Sequence, residues 1–134
     1  MKRYFLDTNI LLDFLGNRQP FGKYSLEIFN KSRLKEWELW TSDNSILTSY
    51  YIISKEIGEN ESRAKISRLI NFLEIQPTQK AHIQQALSSD FKYLEDAVQF
   101  YCASNITDLE GIITRNKKDF KTSQIPVFEP WEVV

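Results

Sequence analysis

The sequence has few of the residues that mark exported, fibrous or disordered chains. Its 134 residues include one cysteine, four glycines and four prolines. The single Cys102 excludes an intrachain disulfide, and this composition is not that of a collagen-like or low-complexity chain. No apolar run reaches the roughly 18 residues of a membrane span, and Asp7, Asn9 and Asp13 interrupt the apolar stretch after the start, unlike a secretory signal. These absences predict a cytoplasmic protein.

The charge balance gives no strong overall attraction for nucleic acid. The formal net charge is -1 and the pI is about 5.9, so any binding of nucleic acid has to be local. One local candidate is the group of cations Arg115, Lys117, Lys118 and Lys121, which a solvated turn explains equally well. Hydrophobic residues make up 42% of the chain, which predicts one globular domain over residues 1–134.

Hydrophobic periodicity predicts short strands that alternate with helices. The predicted strands are Arg3–Leu6, Glu38–Thr41, Leu73–Ile75, Gly111–Thr114 and Ile125–Phe128. The predicted helices follow Asp7, run from about Pro20 to Leu34, from Asp43 to Gly58 and from near Asn60 to about Leu73, and cover Thr78–Leu87 and about Phe91–Ser104. This order predicts an α/β fold, a three-layer α/β/α sandwich with a mainly parallel sheet.

Polar side chains follow several of the predicted strands directly. Asp7 follows the first strand. Asp43 lies just past the second strand, where it is also the predicted N-cap of the next helix. Asn116 and Asp119 come just past the strand that ends at Thr114. Ligands of open α/β sheets bind beyond the carboxyl ends of the strands. We therefore expect these segments to converge on one edge of the sheet.

Asp96 lies on a predicted helix, off its apolar stripe, and is a further candidate for this site. Carboxylates that share a cleft raise one another's pKa unless a cation neutralises them, and hard oxygen ligands select Mg²⁺ or Mn²⁺. Simpler structural explanations stay open: Asp7 caps a helix, Asp96 is a solvated acid, and Asp119 balances nearby lysines. We assign no chemistry to Asp13, which we predict to be a surface or capping residue. His82 is the only histidine, and we predict a structural role for it.

Four segments together resemble the PIN-domain family, specifically its VapC-like bacterial branch. They are DTNILLDFL at 7–15, EDAVQ at 95–99, TRNKKDF at 114–120 and IPVFEP at 125–130. Their order and spacing both match, and the resemblance covers nearly the whole chain. No single segment is decisive, but the combination is specific.

This resemblance implies a five-stranded parallel sheet and an acidic pocket that binds one or two Mg²⁺ or Mn²⁺ ions for endonucleolytic cleavage of RNA. The implied catalytic metal ligands are Asp7, Asp96 and Asp119, with Asn116 as a further ligand. The implied supporting residues are Thr8, Asn9, Thr48 and Thr114, and Arg115, Lys117 and Lys118 are candidates for RNA contacts. Proteins of this branch are usually toxins that form homodimers and are blocked by a cognate antitoxin.

Two positions depart from the family pattern. Thr48 stands where many relatives place a glutamate, and Asn116 stands where some have an acid. Asp43, five residues before Thr48, is a possible substitute. These departures predict a lower affinity for metal or tight binding of only one ion, and they keep open an alternative in which a catalytically weakened PIN-like domain binds RNA or protein.

A phosphotransfer protein is the other alternative, because haloacid-dehalogenase phosphatases and response-regulator receivers also place an aspartate after the first strand. The dehalogenase pattern requires a second aspartate two residues later, where this chain has Asn9. A receiver requires an acidic pair near the first strand and a lysine after the last one. Both patterns therefore fit less well than the PIN-domain pattern.

Overall fold

The computed structural model describes residues 1–134 and contains one five-stranded sheet. The strands are β1 (Lys2–Leu6), β2 (Trp37–Ser42), β3 (Leu73–Gln76), β4 (Leu109–Ile113) and β5 (Val127–Phe128). Their order is β3-β2-β1-β4-β5, and every neighbouring pair is parallel. The α/β fold with a five-stranded parallel sheet is therefore confirmed. Because the strands are parallel and β1 lies between β2 and β4, the residues that follow these three strands lie at the same edge of the sheet.

Seven helices connect and cover the strands. They are α1 (Thr8–Leu15), α2 (Gly22–Arg33), α3 (Asp43–Ile57), α4 (Glu59–Leu69), α5 (Lys80–Leu87), α6 (Leu94–Ala103) and α7 (Pro130–Val133), and short 3₁₀ turns span Ile70–Phe72 and Lys117–Phe120. Each helix predicted from the sequence is present with shifted ends, whereas α7 was not predicted. No helix combines the length and apolar content that crossing a bilayer requires.

The core lies on both faces of the sheet, which gives the three layers. Along β1, Tyr4 and Leu6 belong to the larger apolar cluster, which they share with residues of α1, α2 and α3, whereas Phe5 belongs to a second cluster with Phe100 of α6. Successive side chains of a strand point to opposite faces. A strand that is apolar at consecutive positions is therefore buried on both sides.

Gly111 in β4 allows the last strand to pack closely. A Cβ atom at this position would lie 2.6 Å from a ring carbon of Phe128 and 2.7 Å from the backbone oxygen of Pro126. We expect Gly111→Ala to lower the free energy of unfolding by roughly 1–3 kcal/mol, because the added methyl overpacks this contact. Urea denaturation would measure the loss. Gly16→Ala, where the nearest atom is at 3.3 Å, is the matched control, and an equal loss in both variants would contradict the explanation.

Candidate active site

Asp7 lies where β1 ends and α1 begins, and its carboxylate is held by three donors. The residue is 6% exposed. Its Oδ1 accepts a hydrogen bond from the backbone N–H of Thr8 at 2.8 Å, and its Oδ2 accepts from Thr114 Oγ1 at 2.8 Å and from Asn9 Nδ2 at 3.3 Å. Burial raises the pKa of Asp7, and the charge of Asp119 adds to this, although the hydrogen bonds oppose it. Asp7 thus caps α1 and also lies near enough to the carboxylate of Asp119 to be affected by its charge.

The structure brings Asp7, Asp96 and Asp119 together and adds Glu95. Burial raises the pKa of Asp96 to about 7, helped by the charges of Asp7, Asp119 and Glu95. The pKa of Glu95 is raised by burial and then by the charge of Asp7. We call Asp7, Glu95, Asp96 and Asp119 the acid group. Three chain segments supply it, and its carboxylates lie close enough to repel one another.

No cation of the chain forms an ion pair with the acid group. None of the five ion pairs of the protein uses a carboxylate of the acid group. No three of the His, Cys, Asp and Glu side chains are arranged so that they could hold a metal ion as they stand. The structure therefore shows an acidic region without ion-pair partners, and no three of its carboxylates are placed as ligands of one ion.

A buried polar network lies behind Asp7 and was not predicted from the sequence. Gln99 is completely buried; its Oε1 accepts a hydrogen bond from Ser42 Oγ at 2.5 Å, and its Nε2 donates to Ser45 Oγ. Ser45 Oγ is 2.8 Å from Thr8 Oγ1, and a hydrogen bond from Gln99 lowers the pKa of Asp7. The network connects α6 with β2, α3 and the start of α1. One signal was present, because Gln99 lies three residues after Asp96 and thus on the same face of the helix.

The loop after β4 is tied to α1 by the predicted supporting residues. Thr114 Oγ1 accepts hydrogen bonds from Asn9 Nδ2 at 3.2 Å and from the backbone N–H of Asn116 at 3.1 Å. Asn9 Oδ1 accepts from the backbone N–H of Arg115 at 3.1 Å, and the N–H of Asp119 donates to the backbone oxygen of Asn116 at 2.9 Å. Asn116 itself is exposed. These contacts fix the loop that carries Asn116 and Asp119.

The expectation that Asp13 is a surface or capping residue was wrong. Asp13 is completely buried, and its carboxylate accepts from Arg115 Nε at 2.6 Å and from Nη2 at 3.2 Å. The guanidinium also lies over the ring of Phe21, 4.2 Å from its centre. Asp13 lies four residues after Asn9, so one face of α1 contacts the loop twice. Arg115 is therefore engaged with Asp13.

Asp43 does not join the acid group. Its Oδ1 accepts hydrogen bonds from the N–H of Thr78 at 3.0 Å, from Thr78 Oγ1 at 2.7 Å and from the N–H of Asn44 at 2.9 Å. Burial opposes these bonds, yet their sum lowers the pKa of Asp43. Ser42, not Asp43, caps α3, since its Oγ accepts from the N–H of Ser45 at 3.0 Å. Asp43 therefore links the end of β2 to the segment before α5.

Thr48 and His82 lie outside the acid group. Thr48 lines a cleft between α3 and α6, and Glu95 of α6 lines the same cleft. His82 is buried; its Nδ1 accepts from the N–H of Gln79 at 3.0 Å, and its Nε2 lies 2.8 Å from Asn105 Nδ2. These contacts cap α5, which agrees with the predicted structural role.

The parallel sheet and the acid group at its carboxyl edge define a class of protein, and a family model gives that class its name. The model of the PIN domain matches residues 3–118, and the chain belongs to the PIN domain family. Within this family, the chain is similar to Ribonuclease VapC1 from Aquifex aeolicus, with 32% identity over 133 residues that cover 94% of this chain and 89% of the relative. The resemblance to the VapC-like branch is thereby confirmed.

Solved structures of similar fold come from toxin–antitoxin complexes. VapBC2 from Rickettsia felis, bound to a DNA fragment from its promoter, matches with a TM-score of 0.68 and 17% identity, over 95% of this chain and 98% of that one. A toxin–antitoxin complex from Klebsiella pneumoniae matches with a TM-score of 0.64 and 24% identity, over 95% and 97% of the two chains. At these identities the likeness shows the fold.

Proposed function

We propose that this protein is a divalent-metal-dependent endoribonuclease and the toxin of a type II toxin–antitoxin pair. The observation that carries the proposal is the acid group: three chain segments bring carboxylates together without an ion-pair partner, and the pKa of Asp96 is about 7. Buried like charges are costly unless a cation joins them. The 32% identity to Ribonuclease VapC1 supports cleavage of RNA as the reaction.

The donor set fits Mg²⁺ or Mn²⁺. Both are hard cations that prefer carboxylate and carbonyl oxygens. Asp7, Asp96 and Asp119 would hold the ion, with the amide oxygen of Asn116 as a further ligand. Glu95 offers a carboxylate in the cleft that Thr48 also lines, where the family pattern has lost one. Because no three acids are yet placed as ligands, these side chains would have to close in on the ion.

The chain's own residues prepare this reaction. A bound ion would supply an activated water and stabilise the charge that develops on the attacked phosphate. Thr114 and the N–H of Thr8 each hold one oxygen of Asp7 at 2.8 Å, which fixes the direction of the carboxylate. Gln99, completely buried, closes the inner side of the site with its hydrogen bonds to Ser42 and Ser45. These contacts hold Asp7 in place from the interior of the protein.

The raised pKa of Asp96 should make the stability of the metal-free protein depend on pH. In the fold Asp96 has a pKa of about 7 instead of 3.8, so the folded state binds its proton more tightly than the unfolded state does. Stability from this group is complete below the unfolded pKa and is lost as the pH rises through the folded pKa. We expect the Tm in EDTA to fall between about pH 5 and about pH 8, and to fall less in Asp96→Asn.

Addition of Mg²⁺ at the upper end of this range should raise the Tm of the wild type, because the ion binds only the folded acid group. Asp96→Asn is the control for general salt effects. An equal rise in Tm in both proteins would contradict a metal site at Asp96.

The toxin function can be tested in growing bacteria. Induction of the chain alone should slow growth and produce new RNA ends, because endonucleolytic cleavage leaves ends that sequencing can map. Asp7→Ala should relieve the arrest, and so should coexpression of the protein encoded beside this one, if that protein is the antitoxin. Growth arrest that persists undiminished in Asp7→Ala would contradict the nuclease as its cause.

The alternative is a PIN-like domain that binds RNA without cleaving it. Thr48 and Asn116 favour it, because both stand where relatives carry acids, and so does the lack of three acids in ligand geometry. This alternative predicts RNA binding by the purified protein with no cleavage at any concentration of Mg²⁺ or Mn²⁺. Homodimer formation is a further family expectation that size-exclusion chromatography would test.

A further inference from the structure

A cleft of about 440 Å³ opens beside Asp119, and neither Arg115 nor Lys117 lines it. Three lysines from two separate segments line it: Lys92 precedes α6, and Lys118 and Lys121 follow β4. We call them the lysine triad. Asp90 and Asp119 line the same cleft, so the ammonium groups exceed the carboxylates by one. The cleft therefore joins a cationic surface to a residue of the acid group.

The lysine triad has no ion-pair partner, unlike Arg115 and Lys117, two of the four cations that the sequence pattern singles out. Arg115 is paired with Asp13 at 2.6 Å, and Lys117 with Glu132 at 3.2 Å. No member of the triad lies within ion-pair distance of a carboxylate, and all three residues are exposed. Free ammonium groups beside a nuclease site can release counterions when they meet phosphates, which paired groups do to a lesser extent.

A second cleft continues from the first and offers aromatic and polar groups. The two share Asp90, Phe91 and Thr122, and the second is lined further by Tyr101 and Gln124. Phe91 and Tyr101 are both half-buried, with ring centres 6.4 Å apart. Aromatic side chains stack with unpaired bases, and amide groups can bind base edges.

We infer that these joined clefts bind a nucleotide of unpaired RNA next to the scissile phosphate, with its phosphate at the lysine triad and its base at Phe91 and Tyr101. The inference rests on the proposed nuclease function. It assigns the RNA path to the cleft lined by Asp119 and the lysine triad, which neither Arg115 nor Lys117 lines. A base in a duplex is stacked and paired, so it cannot reach this aromatic wall.

Binding of single-stranded RNA across a salt series tests the phosphate half of the inference. An Asp96→Asn background prevents cleavage, and fluorescence anisotropy reports binding. Neutralising the triad in K92Q/K118Q/K121Q should lower the slope of log K against log salt by about 2, since each phosphate contact on a single strand contributes about 0.7. The matched control is K2Q/K55Q/K80Q, which removes three exposed lysines that do not line either cleft. Equal slopes in the two triple variants would overturn the inference.

Cleavage in the active background provides the second measurement. The triad variant should lose activity through KM more than through kcat, because the lysines contact the strand and not the reacting atoms. Tyr101→Leu should weaken binding of RNA by about tenfold but leave binding of an abasic strand of equal length unchanged. Equal loss on both strands would contradict the base position. If the wild type cleaves no RNA at all, the nuclease proposal fails, and the salt slopes still decide whether the clefts bind RNA.

Discussion

Replacing Asp96 by asparagine is expected to lower RNA cleavage by at least two to three orders of magnitude, the loss typical of one removed electrostatic contact in an active site. The amide keeps the size of the side chain but removes the charge that would hold a cation. The pKa of Asp96 is raised to about 7 by burial and by the charges of Asp7, Asp119 and Glu95. Ionisation of Asp96 therefore destabilises the metal-free fold. Asp96→Asn should therefore unfold at the same or a higher temperature.

Loss of activity with retained stability separates a catalytic role from a structural one. Asp108→Asn is the matched control, because Asp108 is an exposed aspartate just before β4, at the opposite edge of the sheet. It should cleave RNA at the rate of the wild type. Residual cleavage by Asp96→Asn close to the wild-type rate would show that the activity comes from another site or another protein.

Arg115→Leu is expected to be the most destabilising single change in the loop after β4. It would leave Asp13, which is completely buried, without the bidentate partner that now lies at 2.6 Å and 3.2 Å. Removing one partner of a buried ion pair costs roughly 3–5 kcal/mol. Urea denaturation would measure the loss, and cleavage should fall as well, since the loop carries Asn116 and Asp119.

A double-mutant cycle tests the cause of that loss. Asp13→Leu together with Arg115→Leu removes both charges, and an apolar replacement of a buried pair is often neutral or stabilising. The double variant should therefore regain much of the stability lost in Arg115→Leu. A loss in the double variant equal to the sum of the losses in the two single variants would contradict the view that the charge left at Asp13 causes the effect.

The fold could be predicted from the sequence almost completely, because it depends on local patterns. The apolar run of β1, the alternation of short strands with amphipathic helices, and breaks such as Gly58 are all visible over a few residues. The helix ends were less accurate, since Ser42 and not Asp43 caps α3. The helix α7 was missed because its four residues are too few to show a helical period.

The candidate site could be predicted only in part. Asp7, Asp96 and Asp119 stand out because each belongs to a motif at a strand end or on a helix face. Gln99 and Asp13 do not stand out, because their partners are distant in the chain: Gln99 meets Ser42, 57 residues earlier, and Asp13 meets Arg115, 102 residues later. Only the sheet order brings such pairs together. A buried aspartate and an exposed one look alike in a single sequence.

The acid group is proposed to cleave RNA with the help of a divalent cation. Single-turnover cleavage of an unstructured RNA by the purified protein tests it most directly, with Mg²⁺ or Mn²⁺ titrated against EDTA for the wild type and for Asp7→Asn. We predict a rate that saturates with metal in the wild type, no cleavage in EDTA, and none in Asp7→Asn at any metal concentration. Cleavage that persists in EDTA, or that proceeds equally fast in Asp7→Asn, would contradict the claim.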